Sequence, residues 1–215
     1  MMKSLRVNDK LKTKVPPAQA RGVFRHAFTL IETFPDVQSP FTGGGAIPVG
    51  GTINGTNYTY VLVTDNYQLS SIKMSTGDRL LVSGDAVLFV TGDLMMLGTS
   101  AIDVAPGSKL RVYVGGANAG FTAVNTDGIP ATFQYYGLPG NTSVGLSGNS
   151  EYVGVFYAPE VIVTLSGGGN NAYDFSGSLV LKALQMNGHF HIHYDESLAR
   201  TGPLLRYVAT AWAEL

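Results

Sequence analysis

A repeat of about 23 residues fills the second half of the chain and constrains its fold more than any other feature. In register the copies are residues 86–108, 109–130, 131–154, 155–177 and 178–198. Each opens on an alternating or apolar run, namely AVLFVTGD, KLRVYVGG, ATFQYYGLPG, VFYAPEVIVTLSG and SLVLKALQMNG, and closes on a turn of Gly, Asn or Ser. A fixed period in the low twenties, made of strands without helices, marks stacked β-coils. The expected fold is all-β: a single right-handed parallel β-helix (solenoid) of about six coils with an N-terminal arm. A sandwich of regular hairpins is the competing architecture, and the likeness between coil openings weighs against it.

The repeat has a physical logic. Strand side chains alternate between two faces, and one alternate set in VLFV, LRVYV, TFQYY and VFYA suits an interior. Stacking then places equivalent inward residues above one another as apolar ladders. The 27 glycines fall mostly in turns, where they supply positive φ and room for the next coil to approach. Asn141, Asn149, Asn170 and Asn187 sit at corners and suit the left-handed region.

Around this repeat the chain divides into a basic arm with a short apolar segment (1–34), a Gly/Pro-rich loop (35–57), the β-helix (58–200) and a C-terminal cap segment (201–215). Residues 68–74 and 79–82 read as a first, irregular coil. The open ends of a solenoid are exposed strand edges and need caps. Phe28, Leu30, Ile31 and Phe34 form a candidate N-terminal cap or assembly arm. Trp212 is the largest anchor of a candidate C-terminal cap. An end without a cap stacks on another molecule.

Charge is asymmetric. Half of the 14 lysines and arginines lie in residues 1–26 (Lys3, Arg6, Lys10, Lys12, Lys14, Arg21 and Arg25), against Asp9 alone of the 15 acidic residues. A basic arm on an acidic body docks on its own body, on a neighbouring copy or on an anionic surface. Nucleic acid is not an expected partner, because no aromatics interleave the basic residues. No stretch reaches the roughly 18 apolar residues that span a bilayer, so no transmembrane segment is expected. The chain has no cysteine, which excludes disulfides, thiolate metal sites and cysteine nucleophiles.

The sharpest chemical motif is GHFHIHYDE at 188–196. On a strand, His189, His191 and His193 share one face, while Phe190, Ile192 and Tyr194 share the other. His-x-His on a strand is a spacing for Zn or Cu ligands, and Asp195 or Glu196 offers an oxygen. Three such histidines span about 13 Å, so two of them, not three, can reach one ion. The simpler alternative is an outward polar face with Phe190 and Ile192 in the core. Elsewhere Asp93, Asp103, Asp127, Glu151, Glu160 and Asp174 recur at no fixed coil position, so no paired-carboxylate site is evident. No enzyme activity and no cofactor is expected. Tyr113, Tyr135, Tyr136, Tyr152 and Tyr157 read as exposed aromatics suited either to sugar stacking or to coil packing.

The motifs DVAPGSKLRVYVGG, FYAPEVIVTLSGGGNNAYDFSGSLV, MNGHFHIHYDESL and YVATAWAEL give residues 87–215 a resemblance to bacterial surface proteins with a repetitive β-helix C-terminal domain, of the pilus-assembly-associated (PilX-like) type. The resemblance implies a β-helix at the cell surface and carries no catalytic residue. The segment Phe28-Thr29-Leu30-Ile31-Glu32 resembles a type IV prepilin cleavage motif, with basic residues before it and Glu32 at the fifth position. It departs from that motif in having Ala27 where Gly is usual, and in ending at Pro35 where pilins continue with a long apolar helix.

These readings point to a non-enzymatic structural protein, extracellular or at the cell surface, that self-associates or adheres through coil stacking and docking of its arm on a neighbouring copy. A carbohydrate-binding or carbohydrate-processing β-helix with a surface glycan as partner is one alternative. A bactofilin-like cytoskeletal scaffold is another.

Overall fold

A computed structural model describes residues 34–125, 128–148, 150–167 and 172–200. The candidate arm residues Phe28, Leu30 and Ile31, and the candidate cap Trp212, lie outside the described residues.

The described residues form a parallel β-solenoid of about six coils whose strands stack in three columns. The first column is Asp65–Leu69, Asp85–Val90, Lys109–Val114 and Phe133–Gly137, continued by the opening halves of two long strands, Tyr152–Gly167 and Tyr173–Gly188. The second is Ile72–Met74, Leu94–Met96, Asn118–Phe121 and Ser143–Gly148, continued by the closing halves of the same long strands. The third begins with Thr56–Leu62, Arg79–Val82 and Ala101–Val104. It passes through bridges at Val124 and Tyr152 to Phe175 and ends on the strand Phe190–Tyr194. The long strand Tyr152–Gly167 turns its corner where its register shifts, between Ala158 and Ile162, at Pro159, which has no N–H to give to a ladder.

Pairing in register turns the repeat into ladders. In the first column Tyr67, Leu88, Val112, Tyr135, Phe156 and Leu179 lie one above the next, at steps of 21 to 24 residues. The first five are buried. Phe121, Phe133, Tyr135, Phe156 and Phe175 meet in the interior with ring centroids 5.1–6.2 Å apart, the spacing of favourable edge and offset aromatic pairs. Large rings at adjacent rungs need space, and small residues supply it. Gly154 lies beside the Phe133 ring, and Gly137 beside Ala158.

Two elements lie within the stretch 35–57, which reads as loop in sequence. Val49–Ile53 pairs antiparallel with Thr56–Leu62 through a turn at Asn54 (φ 50) and Gly55 (φ 79). Positive φ at both central residues is the tight hairpin turn that matches strand twist. This hairpin extends the third column beyond its first coil, so a folded-back strand finishes the N-terminal end there.

The second element is a strap. One residue out of phase with the buried ladder of the first column runs an outward one: Gln68, Phe89, Tyr113, Tyr136, Tyr157 and Val180. Tyr113 and Tyr136 stack at 4.7 Å. Residues 34–46 lie along this aromatic stripe. Phe34 meets Tyr157 edge-on at 6.5 Å, Tyr157 donates its hydroxyl proton to the Pro35 carbonyl at 2.8 Å, and Phe41 meets Phe89 edge-on at 5.9 Å. Ala46 then pairs with the first coil, donating to Asn66 O and accepting from Gln68 N. Phe34, an expected assembly residue, is thus engaged with its own body.

The aromatics expected to be exposed divide into two sets. Tyr135 and Tyr152 are fully buried, because they sit at inward parity. The Tyr135 hydroxyl donates to Asn141 Oδ1 at 2.8 Å, and the Tyr152 hydroxyl to the Phe121 carbonyl at 3.4 Å. Tyr113, Tyr136 and Tyr157 face outward and are partly buried.

Candidate functional site

Among the described residues, strand alternation and parallel pairing bring together one cluster of side chains able to ligate a metal. On Phe190–Tyr194, Phe190 points inward and is buried while His191 and His193 face solvent, the partition that alternation predicts. The neighbouring strand pairs Asp174 with His191 and Ser176 with His193. The Asp174 carboxylate therefore stands directly across from one histidine and diagonally from the other. Its Oδ1 lies 3.3 Å from His191 Nδ1 and 3.2 Å from His193 Nε2. The three ligand atoms all lie within 4.8 Å of one another, and the two imidazoles meet edge to face with centroids 6.2 Å apart. His191 and His193 are exposed and Asp174 is half-buried.

His189 falls outside this group, as do Asp195 and Glu196. His189 precedes the strand, and its carbonyl accepts from Tyr173 N. Asp195 Oδ1 accepts from Ser197 N. The third member of the cluster is instead Asp174, from the preceding coil. Its position was hidden by the shortness of the last described coil: the step from Asp174 to His191 is 17 residues, against 21 to 24 along the first column, so the repeat period does not align them.

The cluster sits beside the open C-terminal end of the described coil. Inward ladders that are buried in the middle of the stack are uncovered at the last rung. Val144, Val163 and Leu184 are successive rungs, and Leu184 is 36% exposed where the first two are fully buried. Leu146, Leu165 and Met186 follow the same course, with Met186 at 49%. Tyr152, Phe175 and Ile192 do so in the third column, with Ile192 at 44%. Among the described residues, the closing half of Tyr173–Gly188 pairs on one side only, with Tyr152–Gly167, and Phe190–Tyr194 pairs only with Tyr173–Gly188.

A trough of about 440 Å³ lies on the outer face of the second column, where Gly120 and Gly145 carry no side chains between Met95 and Ser147. Asp93 lies at its edge, with both carboxylate oxygens taken by Asn118. The Asn118 backbone N–H, and then its side chain, hold the Asp93 carboxyl below the usual carboxylate range. Asp93 is the only carboxylate among the described residues that line the trough, so the trough does not hold the pair that glycoside hydrolysis uses.

Among the described residues no helix is long and apolar enough to cross a membrane. No curated protein and no solved structure matched the chain. A family model spans residues 45–201, from the end of the strap to the last described coil, and the chain belongs to that family, described as Domain of unknown function (DUF7305).

Proposed function

We propose that this protein is a non-enzymatic structural building block, extracellular or at the cell surface, that associates with further copies of itself through the open end of its coil. The observation that carries this reading is the behaviour of the interior ladders. Leu184, Met186 and Ile192 continue three buried ladders, two in the second column and one in the third, yet are exposed, and among the described residues no further strand pairs with the edges beside them. A parallel sheet is ordinarily buried on both faces, and an unpaired edge next to apolar side chains is a template for another strand. The surface location draws on the resemblance of residues 87–215 to bacterial surface proteins. The basic arm, complementary to the acidic body, is the second proposed contact with a neighbouring copy.

Sugar binding receives less support. Tyr135 and Tyr152 are core residues, Tyr157 is engaged by Phe34 and Pro35, and Tyr113 and Tyr136 are partly buried and stack on each other, so a glycan would meet few open aromatic faces. A bactofilin-like scaffold would use the same coil end, and fractionating the native cell separates it from a surface protein.

The test is light scattering coupled to size exclusion, with negative-stain microscopy, on the full chain, on a Leu184→Lys/Met186→Lys variant and on a truncation lacking residues 1–33. Concentration-dependent oligomers or filaments that vanish in the double variant support end stacking. A wild-type protein that stays monomeric at high concentration, or oligomers unchanged in both altered proteins, overturns it.

A further inference from the structure

We propose that Asp174, His191 and His193 bind a divalent transition-metal ion of the zinc class, which staples the last coil to the one before it. The donor set is two imidazole nitrogens and one carboxylate oxygen, a combination suited to zinc and its neighbours rather than to calcium or magnesium. The two oxygen–nitrogen distances fit such an ion, and the two nitrogens lie within 4.8 Å of each other. With metal–ligand bonds of about 2.0–2.1 Å, neighbouring ligands of a tetrahedral ion stand about 3.3 Å apart. The two oxygen–nitrogen separations are 3.2 and 3.3 Å. An ion seated between them replaces two long contacts to one carboxylate oxygen by three coordinate bonds.

The ligands come from two adjacent strands, Tyr173–Gly188 and Phe190–Tyr194. Each strand holds its ligands by backbone pairing, so the triangle is set by the ladder and not by a loop. The ion would bridge these strands where the solenoid has least to hold it. Among the described residues Phe190–Tyr194 has a neighbouring strand on one side only, and its inward Ile192 is half uncovered. Three protein ligands leave a fourth position facing solvent, open to water or to a group from another molecule.

The experiment titrates the full-length protein with Zn²⁺ by calorimetry and with Co²⁺ by visible absorption, and follows amide hydrogen exchange with and without Zn²⁺. The expected result is one ion per chain, a tetrahedral-type Co²⁺ spectrum, and exchange at 190–194 slowed at least about tenfold by Zn²⁺. His193→Ala and Asp174→Asn should each weaken Zn²⁺ binding by more than about tenfold, with unchanged circular dichroism. His189→Ala should leave it within about twofold. Absence of Zn²⁺ binding would show that the three side chains make hydrogen bonds only, and would overturn the proposal. So would a loss on His189→Ala as large as that on His193→Ala, because the ion would then lie along one strand. Binding without added protection at 190–194 would overturn the stapling role.

Discussion

The Tyr135 hydroxyl donates to Asn141 Oδ1 at 2.8 Å in a setting where both residues are fully buried. Asn141 Nδ2 in turn donates to the Gly116 carbonyl of the coil before, at 2.8 Å. One side-chain amide thus satisfies a core phenol and a turn carbonyl. Removing it strands both partners, and a buried unpaired polar group costs about 1–3 kcal/mol. Asn141→Ala should therefore lower stability by at least that amount in denaturant unfolding. Tyr135→Phe should cost less, and the double variant should fall short of the sum, because the two share one bond. Strict additivity would separate the two residues.

Alkaline pH should unfold the protein through its tyrosines. Burial raises the Tyr135 and Tyr152 phenols far above their ordinary value of 10.0, and also raises Tyr113 and Tyr136. For Tyr136 the neighbouring Tyr113 adds to the rise, and Arg111 opposes it. Between the ordinary and the raised value the folded state keeps a proton that the unfolded state has released. Stability is then full below about pH 10 and falls as pH rises beyond it. Tyrosinate absorbance and circular dichroism should change together for these residues. Smooth ionisation of every tyrosine in a protein that stays folded would contradict their burial.

Gly177 marks a place where the stack tolerates no side chain. Its φ is +146, and a Cβ there would run into the Gly154 carbonyl of the coil below. Gly177→Ala should destabilise by more than about 1 kcal/mol, whereas Gly145→Ala should be near neutral, because a Cβ at Gly145 meets nothing within 4 Å. Thermal melts of the two variants give the comparison directly.

Position along a ladder should set the cost of truncation. Leu165→Ala, at a fully buried rung, should cost about 2–5 kcal/mol. Met186→Ala, one rung on and half exposed, should cost under about 1 kcal/mol in dilute monomer. Equal costs would mean that the last rung is covered in solution.

Much of the architecture can be read from the chain because a ladder demands the same kind of residue at each rung. The openings of the five repeats predict strands, and those strands stack in the first column. The hairpin was also readable, since Asn54-Gly55 is a strong turn signal, but the surrounding Gly and Pro favour a loop reading. The strap has no period. Its contacts join Phe34 to Tyr157 and Phe41 to Phe89, across the sequence distance between the arm and the coils. The tyrosines depend on parity, which only the register fixes: Tyr135 pairs with Val112 and faces in, while Tyr136 pairs with Tyr113 and faces out. At the histidine cluster, alternation identifies the face that His191 and His193 share, but Asp174 reaches it through a step of 17 residues, shorter than the 21 to 24 of the first column.

A solenoid whose repeats touch only their neighbours unravels like a zipper, one coil at a time. The strap changes that. Residues 34–46 hold the fifth coil at Tyr157, the second at Phe89 and the first at Asn66 and Gln68, so an intermediate coil cannot open without loosening a splint shared by its neighbours. Short-range stacking is thereby converted into long-range cooperativity over the coils that the splint spans. These strap contacts reach no further than Tyr157, so the last described coil lies outside the span they splint.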